Sequence, residues 1–234
     1  MSEVERRIIA GGTAYETPLF IIRGERPGPV AAVVGGTHGD ERAGYYAAWI
    51  VTRFTIERGT LLVIPQANWP AIQKRQRADH VIGDLNRTYP NPSSIQPRND
   101  LARAIWEIYL SYHVKWSIDL HEGWDFHRMN PESKGQSLVY YSNPISRQIG
   151  QIVVHQLNQR LTEPKHRFSL LTNTTQGTLT RSTGTYLGVH SYTFETCRKQ
   201  PLSVRINQQV HAVYFFLKSL NMRPVRPVKQ SEAG

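Results

Sequence analysis

A single cysteine, Cys197, stands among the 234 residues, so an intrachain disulfide framework, a Cys-x-x-Cys redox pair and a cysteine-built metal knuckle are all excluded. Any metal must be held by histidine and carboxylate. Acidic side chains are also scarce, 18 against 28 Lys and Arg, and the formal charge of +10 permits anionic partners without naming one. No apolar run approaches the roughly 20 residues that a bilayer requires. The first 15 residues are mixed polar and small rather than a signal-peptide core. A soluble protein is expected, cytoplasmic unless a leader has been removed. The chain further lacks a Gly-x-Ser-x-Gly elbow, which removes the main support for serine hydrolase chemistry. It has no Walker-type loop and no dinucleotide glycine fingerprint.

What remains is a chain 39% hydrophobic, long enough to bury one large core. Residues 1–222 are expected to form a single domain. From Arg223 the prolines 224 and 227, the basic residues and the run Ser231 to Gly234 read as a flexible C-terminal tail. Thr17 to Arg23 and Pro29 to Val34 read as strands, and the spacing of Tyr45, Ala48, Trp49, Thr52 and Phe54 predicts a helix from about Glu41 to near Gly59. A strand follows over Thr60 to Pro65. Residues 66–98 have little periodicity and four prolines, the mark of a long functional segment.

Asn99 and Asp100 can cap a helix to about Tyr112, and Val114 to Leu120 then forms a strand with Asp119 on the face opposite Ile118 and Leu120. Strands near 138–141, 168–171 and 191–195 alternate with helices over about 144–161 and 203–220. That alternation predicts an α/β fold, three layers α/β/α around a mixed, mainly parallel sheet, with ligand sites at the carboxyl ends of the strands.

Gly35-Gly36-Thr37-His38-Gly39-Asp40-Glu41 places an imidazole and a carboxylate three residues apart where a strand gives way to a helix. At that spacing the two can converge on one ion, and zinc accepts both donor types. A third ligand is needed, and His121, one step beyond the strand ending in Asp119-Leu120, is the candidate. Alone, His-x-x-Glu is a weak motif. Its significance lies in the ordered set that follows it: Asp84-Leu85-Asn86-Arg87, then Asp119-Leu120-His121, then Thr193-Phe194-Glu195-Thr196.

As a set, these motifs resemble the zinc carboxypeptidase superfamily, and within it the succinylglutamate desuccinylase and aspartoacylase branch, from about Thr17 to about Leu220. The resemblance implies one zinc per chain held by His38, Glu41 and His121, with Asp84 orienting His38 and Glu195 as the catalytic carboxylate. It further implies an oxyanion-stabilising arginine upstream of Asn86; Arg77 has the more familiar spacing, with Arg75 in the same stretch. Asn86 and Arg87 match the pair that grips a substrate carboxylate, a task suited to the planar guanidinium. Arg181 is a second candidate anchor.

His121-Glu122-Gly123-Trp124-Asp125 is not a His-Glu-x-x-His helix, because Asp125 stands where histidine is required and Gly123 disfavours the helix. Glu122 nevertheless follows a proposed ligand and is a candidate to shape the pocket. His80 and His127 lie in polar loops and read as solvated. A competing class, a basic nucleic-acid-binding module, is motivated by Arg53, Lys74, Arg75, Arg77, Arg87, Arg98 and Arg103, yet these fall on separate predicted elements. The expected partner is therefore a small molecule or short peptide bearing a carboxylate, with no nucleic acid and no membrane, and the oligomeric state is open. The expected activity is removal of an acyl group from an amino acid. The alternative is a metallocarboxypeptidase acting on short or cell-wall peptides.

Overall fold

The computed structural model describes residues 2–172 and 174–225. One eight-stranded sheet runs through it. In chain order its strands are β1 (Glu3–Ile9), β2 (Thr17–Arg23), β3 (Arg26–Gly35), β4 (Arg58–Ile64), β5 (Trp116–Gly123), β6 (Ser137–Tyr140), β7 (Ser169–Leu171) and β8 (His190–Cys197), and across the sheet they lie in the order β1-β2-β4-β3-β5-β8-β6-β7. The centre is parallel, β4, β3, β5 and β8 pairing in one direction, while β1 with β2, β2 with β4 and β6 with β8 pair antiparallel, and β7 pairs parallel with β6.

Among the described residues the α-helices are α1 (Arg42–Val51), α2 (Trp69–Lys74), α3 (Asp100–Ser111), α4 (Pro144–Asn158), α5 (Leu179–Leu187) and α6 (Leu202–Ser219). The alternation of side chains along a strand sorts them into layers. Ala31 and Val33 of β3 join Ile118 and Leu120 of β5 in a core with α1, α4 and α6. Ala32 and Val34 face the opposite way, into a core with Leu101, Ile105 and Tyr109 of α3 and Leu179 of α5. A central strand buried on both faces must be apolar throughout, as β3 is over 30–34. Three layers α/β/α result, as the alternation predicts.

Several boundaries differ from expectation, each for a local reason. α1 stops at Val51, and Gly59 lies inside β4 at φ +81°, where a Cβ would stand 2.3 Å from the Pro29 carbonyl oxygen. His121 lies within β5 rather than beyond it, because parallel pairing with β8 continues to Gly123–Cys197. β1 is an edge strand with mostly exposed residues, so its burial pattern is weak in the sequence. α5 contains Thr, Ser and Gly and little helix propensity; the Thr178 hydroxyl accepts from Arg181 N, and Leu179 packs into the core. Of the expected tail, Val225 pairs with Thr55 (Val225 N to Thr55 O, 2.8 Å) and Arg223 with Glu57 (2.9 Å), while residues 226–234 lie outside the described residues. Among the described residues no helix is long and apolar enough to cross a membrane.

Candidate active site

The site forms where β3 and β5 end. Gly36, at φ +76°, turns the chain out of β3, and the next residues hold His38 and Glu41 against the sheet edge. Glu41 occupies the N-cap position of α1 but its side chain caps nothing, because its carboxylate turns toward two imidazoles. Its Oε1 lies 2.7 Å from His38 Nδ1, and its Oε2 lies 2.8 Å from His121 Nδ1. All three side chains are buried.

Behind each imidazole stands a second carboxylate. His38 Nε2 meets Asp84 Oδ1 at 3.0 Å, and His121 Nε2 meets Asp119 Oδ2 at 2.8 Å. Such partners fix which ring nitrogen carries the outward proton and raise the basicity of the other. Both Nδ1 atoms therefore face the same point, 3.2 Å from one another. Two N–H donors or two bare lone pairs at that distance repel, whereas a cation between them satisfies both. The donor set, two imidazoles and one carboxylate with ligand atoms all within 4.8 Å of one another, fits zinc in a catalytic site.

Electrostatics follow from this crowding. Burial opposes charge on His121, but Asp119 and Glu41 more than compensate and raise its pKa well above the ordinary range. His38 is raised in the same way against the same opposition from burial, by Glu41 and Asp84. Glu41 and Asp84 also pay for desolvation, yet the adjacent imidazoles hold both carboxyls below the usual values.

Glu195 enters from β8, as the register partner of His121 on the next strand. Burial pushes its carboxyl up to about 7, an effect that Glu41 reinforces while His121, Lys134 and His38 oppose it. A carboxylate in that range can both accept and return a proton near neutrality.

The arginines separate clearly. Arg77 lines the cleft, its Nη2 donating to Asp84 Oδ2 at 3.1 Å and its Nη1 to Glu41 Oε1 at 3.3 Å. Arg75 is the exposed left-handed cap at the end of α2 and does not line the cleft. Arg87 is exposed on the cleft wall, steadied by donating from Nη1 to the Asn86 carbonyl at 2.6 Å. Asn86 also lines the cleft, but its Oδ1 accepts from Leu179 N at 2.9 Å, tying α5 to the segment that carries Asp84 and Arg87. Arg181 stays outside the lining: its guanidinium lies 5.7 Å from the Tyr141 ring centre, with Nη1 3.5 Å from the Thr174 hydroxyl. His80 is exposed beside Asp79, and His127 Nδ1 meets the Ser133 carbonyl at 2.8 Å, so neither joins the cluster.

Sequence reasoning missed several members. Asp119 shares the His121 face by the two-residue period of a strand, a legible signal that was not given a role. Arg198, whose Nη2 lies 2.9 Å from Asp40 Oδ2 and 3.7 Å from Glu41 Oε1, and Lys134 also line the cleft of about 410 Å³. Nothing local marks either of them. Glu122, already a candidate to shape the pocket, has a fully buried side chain that accepts from Ala43 N at 3.0 Å and pairs with Arg205. Burial raises its carboxyl, with the Ala43 N–H and Arg205 acting against that.

Comparison with known proteins agrees with this architecture. Residues 27–133 match the succinylglutamate desuccinylase/aspartoacylase catalytic domain family. Csd4 of Helicobacter pylori in its apo form shares the fold at a TM-score of 0.76 and 18% identity, over 98% of this chain and 57% of that one. The two chains therefore share one fold. The fold also resembles succinylglutamatedesuccinylase/aspartoacylase from Rhodobacter sphaeroides, with a TM-score of 0.67 and 19% identity over 100% of this chain and 70% of that one. A curated relative, N-alpha-acetyl-L-2,4-diaminobutyric acid deacetylase of Halomonas elongata, is 32% identical over 118 residues, 47% of this chain. The chain spans 33% of that relative's length.

Proposed function

We propose that this chain is a zinc-dependent hydrolase that cleaves an amide bond of a small carboxylate-bearing substrate, with an N-acyl amino acid as the favoured class. One observation carries the reading. His38 Nδ1, His121 Nδ1 and the Glu41 carboxylate face a single point, each imidazole backed by its own carboxylate, with Glu195 on the neighbouring strand. The family match and the deacetylase relative support the acyl amino acid.

Zinc bound to His38, Glu41 and His121 would supply Lewis acidity toward the amide carbonyl and lower the pKa of a water. Everything else falls to the chain. Glu195 takes the proton of the attacking water and delivers it to the leaving nitrogen, since its partly buried carboxyl holds a proton up to about pH 7. Arg77, at the cleft wall beside Glu41, offers N–H donors to the charge that develops on the carbonyl oxygen. Arg87 grips the substrate carboxylate with its fork, and Asn86 holds the arginine loop to α5.

A second reading, a metallocarboxypeptidase of short or cell-wall peptides, is supported by the likeness to Csd4, described as a D,L-carboxypeptidase in its mDAP-bound form. The two part on substrate. Zinc-loaded protein should be offered N-acyl amino acids beside short peptides, cell-wall peptides included. Hydrolysis of the first set is expected, lost on chelation and restored by zinc. Cleavage of peptides alone would favour the second reading, and turnover of neither would overturn both.

A further inference from the structure

We propose that the last helix, α6, sets the metal-ligand geometry through two positioning residues, Glu122 and Arg205, which act on Glu41. This rests on the metal-site reading above and concerns how the ligand is held. Glu41 begins α1 but leaves its first-turn N–H groups without a side-chain cap. Glu122 fills that place: its Oε2 accepts from Ala43 N at 3.0 Å, while its own backbone N–H donates to Glu41 Oε2 at 3.0 Å. One residue thus fixes both the start of the helix that Glu41 opens and one of the two oxygens of Glu41.

The geometry has a simple origin in strand alternation. Asp119 and His121 point to the ligand side of β5, so Ile118, Leu120 and Glu122 point to the layer of α1 and α6. A carboxylate aimed into that layer is costly unless a cation meets it. Arg205 of α6 does so, bonding Glu122 Oε1, with the Thr196 hydroxyl 3.5 Å from the same oxygen. Four residues further along the same helix face, Gln209 donates from Nε2 to the His121 carbonyl and to Thr196 Oγ1, each at 2.9 Å. A single helix therefore reaches Glu41 through Glu122, the backbone of His121 directly, and β8 beside Glu195.

The test measures zinc affinity by chelator competition, with thermal unfolding of the metal-free protein as the companion readout. Wild-type protein that bound no zinc would remove the metal reading itself, a result distinct from failure of the present proposal. Glu122→Gln keeps an acceptor for the Ala43 N–H but drops the charge that meets Arg205, and Arg205→Met removes the partner. Each is expected to weaken zinc binding about 10- to 100-fold, as for other partners that orient metal ligands. The double variant should weaken it no further than the worse single, because both act along one path. Arg205→Lys, which keeps the charge, should recover part of the affinity and serves if Arg205→Met folds poorly. Folded variants with unchanged zinc affinity, or losses that simply add in the double variant, would overturn the proposal even if unfolding temperatures moved.

Discussion

His121 and Glu195 stand side by side as register partners on the parallel strands β5 and β8, so the third candidate ligand and the spare carboxylate share one row of the sheet. The pairing places a carboxylate beside the candidate ligands without adding it to the proposed ligand set. Glu195→Gln should therefore keep zinc while the turnover number falls about 10²- to 10⁴-fold, the usual range for loss of a positioned acid–base group. Metal content and steady-state kinetics on the same preparation decide it; near-normal turnover would remove Glu195 from the role.

On the proposed ligand set protons and zinc would compete for His38 and His121, whose pKa values are raised by the surrounding carboxylates. A histidine raised on folding stabilises the metal-free protein fully below its unfolded value near 6.5, and that contribution is lost as pH rises through the folded value. Glu195, raised from 4.5 to about 7, loses its own contribution over that interval as pH rises. Metal-free protein should consequently weaken above about pH 6.5, where zinc gains affinity because its ligands shed protons. The gap in unfolding temperature between zinc-loaded and chelated protein should widen from pH 6 to pH 8; a constant gap would contradict the ligand set.

Asp119→Asn keeps the size of the partner behind His121 but weakens its hold on the Nε2 proton. Zinc affinity should fall about 10- to 100-fold. Chelator competition measures this, and unchanged affinity would show that His121 needs no such support.

Arg87 and Arg181 should behave differently, since only the first lines the cleft. Arg87→Ala is expected to lower kcat/KM for a carboxylate-bearing substrate about 10- to 100-fold, the worth of a charge-assisted hydrogen bond. Arg181→Met should change it little. Equal effects in the two variants would mean that the carboxylate sits deeper, toward Tyr141.

Gly39 lies between the candidate ligands His38 and Glu41, and a Cβ there would stand 2.0 Å from the Ala71 carbonyl oxygen in α2. Backbone atoms cannot yield as a flexible side chain would. Gly39→Ala should cost about 1–3 kcal/mol of stability and displace His38, read as a lower unfolding temperature together with weaker zinc binding.

The sequence by itself determined the local pieces: an apolar β3 ending in glycines, His38 and Glu41 at the mouth of a helix, and Asp119 two positions before His121, which only the pairing of β5 with β8 puts on one strand face. These rest on periods of a few residues, which the covalent chain sets directly. It could not reveal β1, whose exposed edge carries little pattern, or α5, whose Thr and Ser residues become helical under a cap and core packing. Tertiary structure alone decided the long-range meetings. β5 and β8 pair with β6, α4, β7 and α5 between them in the chain, bringing Glu195 to His121, and the docking of α6 brings Arg205 to Glu122. Arg77, preferred by its spacing to Asn86, and Arg75 part in the fold, because Arg75 caps α2 outside the cleft while Arg77 reaches Asp84 and Glu41. Such choices depend on the register of strands and the seating of helices, which follow from burial summed over the whole chain rather than from any window of it.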